Sequence, residues 1–137
     1  MLLFIVGLLP ACTAPDPTTP ADVVDAIEAI EAQNGVATAE AVDAGRGTFN
    51  RMSCHTCHGF DTRARTGPPL HRLFADPITL DDGTTLMADR AYVAESILMP
   101  DAKQVAGYPS PMSNYGFMSA EDVAELVLYL ESRSAMP

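Results

Sequence analysis

Apolar residues fall into separate rhythms along this chain, and each rhythm predicts an element. Residues 1–9 are an uninterrupted apolar run. That is shorter than the ~20 residues needed to span a bilayer and matches the apolar stretch of a signal peptide. The basic residues that normally precede such a stretch are missing, so the true start is expected upstream of Met1. Residues 13–20 (Thr-Ala-Pro-Asp-Pro-Thr-Thr-Pro) form a Pro-rich polar spacer. Val23, Val24, Ile27 and Ile30 then recur at helical spacing, with Asp22, Asp25, Glu28 and Glu31 between them, and Asn34-Gly35 ends that helix. The spacing leaves open whether this acidic helix packs on the domain or serves as a free spacer. A second helix is predicted from about Thr38, a candidate N-cap, up to Cys54, with Gly45 and Phe49 on one face. Residues 78–80 and 84–86 alternate around Asp81-Asp82-Gly83, the mark of a short hairpin or of a loop with two extended arms. Asp89 to Met99 reads as a helix with Val93 and Ile97 on one face, stopped by Pro100. Residues 101–118 lack periodicity and carry Gly107, Pro109, Pro111 and Gly116, which predicts an irregular loop. Ser119 caps a last helix, Asp122 completes a capping box, and Val123, Leu126, Val127 and Leu130 form its apolar stripe.

The 137 residues allow one domain plus a tail and a linker. A domain of this size is near the small end of what folds alone. Tryptophan is absent and aromatics are scarce, so an internal cofactor would be a useful apolar body for the core. A formal charge of −10 makes nucleic acid an improbable partner. The charge is uneven: residues 13–43 sum to −7, residues 44–75 to +4, and residues 76–137 to −7. The basic segment holds Arg46, Arg51, Arg63, Arg65 and Arg72 against Asp61 alone. One reading is that one or two of these arginines neutralise acidic groups of a cofactor. The other is a small positive docking face, with Arg63 and Arg65 as the partner contacts.

The chemistry is concentrated in Cys54-His55-Thr56-Cys57-His58. Cys-x-x-Cys-His is a c-type haem attachment motif. Two thiols at this spacing can each form a thioether with a haem vinyl group, and the imidazole of His58 is then held beneath the iron. Two other chemistries share the pattern. A thioredoxin-like disulfide wants a βαβ context, which this region lacks, and a structural zinc site wants four ligands, which Cys54, Cys57 and one or two of His55, His58 and His71 supply only awkwardly. His55 fills the variable slot and reads as a surface residue. With two cysteines committed to haem, Cys12 is left odd. Leu9-Pro10-Ala11-Cys12 resembles the lipobox of bacterial lipoproteins, whose cysteine becomes the acylated first residue; an ordinary signal peptide containing a cysteine is the alternative.

Gly45-x-x-x-Phe49 followed by the haem motif resembles the N-terminal helix of class I cytochromes c, and Tyr129 corresponds to the aromatic of the C-terminal helix that crosses it. From about residue 43 to 131 the chain is similar to the cytochrome c domain fused to subunit II of some bacterial haem–copper oxidases. The similar runs are residues 79–85 (Thr-Leu-Asp-Asp-Gly-Thr-Thr), residues 91–98 (Ala-Tyr-Val-Ala-Glu-Ser-Ile-Leu), and residues 105–109 (Val-Ala-Gly-Tyr-Pro) leading to Met112. No cupredoxin domain with dinuclear copper ligands and no pair of spanning helices accompanies them, so the expectation is the haem module standing on its own anchor.

The resemblance implies an all-α class I cytochrome c fold: three to four helices around one covalent haem c, with a short hairpin or extended loop. The implied organisation is a signal peptide (1–11), a lipid-anchored linker with a short acidic helix (12–37), and the cytochrome c domain (38–137). In Thr66-Gly67-Pro68-Pro69-Leu70-His71 it implies that the Pro68 carbonyl accepts the Nδ1–H of His58, and that His71 lies on the proximal side and is not a ligand. Arg72 stands where the family usually has glycine. Met112 is the implied distal ligand, with Met118 as rival; Met99 stands where the family has an acidic residue, and Met87 has no counterpart. The implied function is single-electron transfer by a His/Met monohaem protein, lipid-anchored in the bacterial periplasm. Its partners would be a terminal oxidase or a quinol:cytochrome c reductase, with no small-molecule substrate. A fixed haem subunit of a larger complex and a peroxidase-type enzyme are the alternatives.

Overall fold

The computed structural model describes residues 16–34, 39–63, 65–109 and 111–135. They form helices α1 (Pro20–Asn34), α2 (Ala39–Arg51), α3 (Arg90–Leu98) and α4 (Ala120–Ser134), and a two-stranded antiparallel hairpin, β1 (Pro77–Thr79) and β2 (Thr85–Met87). The architecture is mostly helical with little strand, as the resemblance to class I cytochromes c implies. The N-cap expected at Thr38 and the leader with Cys12 lie outside the described residues.

Local chemistry starts α1, α3 and α4. The Asp89 carboxylate accepts the Tyr92 N–H at 2.7 Å and starts α3. The Ser119 hydroxyl accepts the Asp122 N–H at 3.1 Å and donates to the Asp122 carboxylate at 2.7 Å, which starts α4. A further capping box sits at α1, inside what the sequence presents as a spacer. The Asp22 carboxylate accepts the Thr19 N–H at 2.8 Å, and the Thr19 hydroxyl accepts the Asp22 N–H at 3.3 Å, with Pro20 at the first helical position.

Helix α4 is the central rod and touches α1, α2 and α3. Its burial exceeds the predicted stripe, because Ala124, Leu128 and Tyr129 are buried as well as Val123, Leu126, Val127 and Leu130. Helix α2 crosses it at Gly45, where a Cβ would collide with the Glu125 carbonyl and sit 2.9 Å from Tyr129 Cβ. One turn on, Phe49 meets Tyr129 with ring centroids 5.5 Å apart, and Phe60 completes a triad at 5.6 Å from Phe49 and 5.8 Å from Tyr129.

Helix α1 is docked, which answers what its spacing left open. Val23 and Ile27 are fully buried in the core shared with α3 and α4. Arg90 at the start of α3 reaches Glu31 of α1 through two bonds of 2.7 and 3.0 Å, and Glu131 of α4 at 2.8 Å. The Thr18 hydroxyl adds a bond to the Met118 carbonyl at 2.8 Å.

The hairpin pairs Ile78 with Leu86 and Thr79 with Thr85, turning through Gly83 at φ +85°. The irregular loop after α3 is stitched to it: Leu80 bridges Val105, and Asp81 N–H donates to the Gln104 carbonyl at 2.9 Å.

This packing has two measurable consequences. Gly45→Ala is expected to destabilise the protein by about 1–3 kcal/mol in denaturant unfolding, since backbone on α4 cannot rotate aside. Gly47→Ala, whose added methyl meets only the flexible Arg51 side chain, is expected to be stabilising by up to about 1 kcal/mol. The second consequence concerns acid. The hydrogen bonds from Arg90 hold the Glu31 carboxyl below its usual range. The folded state therefore gains from ionised Glu31 above the unfolded value, about pH 4.3, and loses that gain as pH falls through the lower folded value. Glu31→Gln is expected to be less stable at neutral pH, by on the order of 1 kcal/mol for this partly exposed pair. The two proteins should converge as unfolding is measured at progressively lower pH.

Candidate haem site

After α2 the chain passes through Ser53, in the left-handed region at φ +58°, into a single 3₁₀ turn, Cys54–Thr56. The Cys54 carbonyl accepts the Cys57 N–H at 3.2 Å and the His58 N–H at 2.9 Å, so one turn gathers both thiols and the imidazole. All three line one cavity, while His55 is exposed and outside it. The thiols are not bridged to each other.

The His58 ring is held from one side by the segment Gly67-Pro68. His58 Nδ1–H donates to the Pro68 carbonyl at 2.8 Å, which leaves Nε2 as the acceptor nitrogen of the neutral ring. Two backbone bonds keep this segment alongside: Gly67 N–H to the Cys57 carbonyl at 3.0 Å and Leu70 N–H to the Gly59 carbonyl at 2.7 Å. Gly67 has no alternative, because a Cβ there would lie 2.9 Å from His58 Nδ1 and closer still to Cε1. At Arg72 the backbone takes the left-handed region, φ +56°, the conformation glycine adopts freely. Arg72 holds it with a forked pair to Asp76, Nε and Nη2 each 2.9 Å from a carboxylate oxygen.

The cavity measures about 700 Å³, within the roughly 300–1,000 Å³ typical of ligand and cofactor sites. Its apolar walls come from Phe49 of α2, Leu70, Val93 and Ile97 of α3, and Leu126 and Leu130 of α4. Met112 is half-buried and lines it. Met118 does not: it is 5% exposed in the helical core, with its carbonyl bonded to Thr18. Met87 and Met99 are exposed, and neither lines the cavity. Met52 does line it, on the side of the attachment motif, a placement that α2 periodicity does not single out.

The residues fit a covalently attached haem and not the competing chemistries. A surround of helices, loops and one antiparallel hairpin lacks the βαβ context of a thioredoxin-like site. Burial pushes the Cys54 thiol up, the opposite of an activated thiolate. Among the described residues no group of three or more His, Cys, Asp and Glu is gathered for a metal ion.

Four of the basic segment's five arginines pair with acids within it or flanking it. Arg46 pairs with Asp43 at 3.0 Å, Arg63 and Arg65 share Asp61 at 3.9 and 3.3 Å, and Arg72 takes Asp76. Of its five arginines only Arg72 lines the cavity, where Lys103, paired with Glu95, lies as well. Arg63 projects to solvent with 84% of its side chain exposed.

The family model described as Cytochrome c matches residues 42–134. No curated protein matches the chain.

Proposed function

The chain belongs to the cytochrome c family, which binds covalently attached haem c, typically one per domain, and from that premise we propose a His/Met monohaem electron carrier. In this reading Cys54 and Cys57 form the thioethers, His58 is the proximal ligand oriented by Pro68, and Met112 is the distal ligand. The observation that carries it is the shared cavity: Met112 lines the walls that Cys54, Cys57 and His58 line, whereas Met118 is spent in the core. When bound, the haem would supply one-electron chemistry, and ligation by His58 and Met112 would favour the reduced state, suiting the oxidising end of a respiratory chain. The apolar walls would limit water at the ring, and the Pro68 carbonyl holds His58 in one tautomer. With both axial positions filled, no vacancy serves substrate turnover, and the peroxidase-type alternative is disfavoured on that ground.

The partners in this reading are redox proteins, a terminal oxidase as acceptor and a quinol:cytochrome c reductase as donor. Similarity to the haem domain of oxidase subunit II supports the first. A fixed subunit of such a complex would use the same site. The exposed Arg63, beside the half-neutralised Arg65, is the basic contact offered to an acidic partner surface, and its use would appear as a rate that falls with salt. No helix among the described residues is long and apolar enough to cross a membrane. The proposed attachment is acylation of Cys12 at the periplasmic face of a bacterial membrane.

Two measurements test this reading. Met112→Ala is expected to abolish the weak sulfur-to-iron charge-transfer band at the red end of the ferric spectrum. Met118→Leu is expected to keep it and to cost less than about 1.5 kcal/mol, being a volume-conserving core change. The reverse pattern identifies Met118 as the ligand. Cys12→Ser is expected to move the haem protein out of the membrane fraction; an unmodified N-terminus in the intact mass of the wild type would falsify the anchor.

A further inference from the structure

Residues 111–117 carry Met112 and lie largely at the surface before Met118 enters the core. Pro111, Ser113 and Asn114 are exposed, and Phe117 is 74% exposed. Segments with so few buried contacts open locally at low free energy. One residue reaches back across the cavity. The Tyr115 ring lines it, half-buried, and its hydroxyl donates to the Met52 carbonyl at 3.2 Å, across 63 positions of sequence. Met52 is firmly placed, since its own N–H donates to the Thr48 carbonyl at 2.9 Å as the last turn of α2 runs into Cys54. Tyr115 therefore joins the segment that carries Met112 to the segment that carries the thiols. Within the loop, Met118 N–H donates to the Tyr115 carbonyl at 2.9 Å, and the Phe117 ring packs 6.1 Å from that of Tyr115.

We propose that Tyr115 is the positioning residue of the distal side: its bond to Met52 clasps the Met112 loop over the haem and sets how often the sixth iron position opens. The proposal rests on Met112 as ligand and adds what keeps it there. The phenol touches neither iron nor electron; it acts by holding closed a loop whose own contacts are sparse. Removing one net hydrogen bond raises the open fraction by about two- to tenfold. A ligand that binds only the open form gains apparent affinity in the same proportion.

The test uses the full haem-loaded protein in the ferric state, with imidazole as probe, titrated by absorption and followed by stopped flow. Tyr115→Phe keeps the ring and removes the hydroxyl. It is expected to retain the sulfur-to-iron band without imidazole and to bind imidazole about two- to tenfold more tightly, through a faster opening step. Phe117→Ala removes the neighbouring ring, spares the hydroxyl, and is expected to stay within about twofold of wild type; an effect as large as that of Tyr115→Phe would assign the role to loop packing and overturn the clasp. Wild-type imidazole affinity in Tyr115→Phe overturns it too, whatever happens to the unfolding midpoint, while leaving Met112 as ligand if Met112→Ala has lost the band. Persistence of the band in Met112→Ala overturns both readings together.

Discussion

At Gly45 the backbones of α2 and α4 come close enough that a single methyl would strike the Glu125 carbonyl. That contact sets the spacing of everything built on the two helices. It brings Phe49 against Tyr129 and lets Phe60, two residues past His58, close the aromatic triad. It also aims the end of α2, and with it Cys54 and Cys57, at a cavity whose far wall includes Leu126 and Leu130 of α4. A wider crossing would loosen the triad and move the attachment segment relative to that wall. Helix α2 tolerates Gly45 and Gly47 in its interior, each costing about 1 kcal/mol against alanine, because tertiary packing and not intrinsic propensity stabilises it.

The two sides of the cavity are held by different means. Around His58, backbone bonds from Gly67 and Leu70 and the Pro68 carbonyl, each to a residue 10 or 11 positions earlier, bracket the ring. That arrangement is short-range and rigid, and it leaves the imidazole one orientation. The loop bearing Met112 is irregular, and its bond to the attachment segment is made by a side chain from far along the chain.

Charge is arranged to serve packing as much as any partner. The acidic α1 could have been a free spacer, yet Arg90 converts one of its carboxylates into a joint between α1, α3 and α4. Planar guanidinium geometry makes this efficient, since one side chain forks to Glu31 and still reaches Glu131. Arg46, Arg65 and Arg72 are likewise paired with neighbouring acids, and Arg63, 3.9 Å from Asp61, projects into solvent.

Sequence alone determined what depends on near neighbours. The thiol and imidazole spacing of residues 54–58, the cap at Ser119 and the stripe of α4 depend on residues a few positions apart, so pattern suffices to read them. The Thr19–Asp22 cap was equally local, but its prolines resemble a linker until a docked helix gives it something to start. What only the tertiary structure decided are the choices among chemically equal candidates. Family resemblance favoured Met112 over Met118 by position, but only the tertiary structure shows Met112 lining the cavity and Met118 sealed beneath Thr18. The docking of α1 needed Arg90, 59 positions from Glu31, and the Tyr115–Met52 bond spans 63. Such pairings leave no periodic trace, because a hydrogen bond specifies a distance between two atoms and places no constraint on the residues between them.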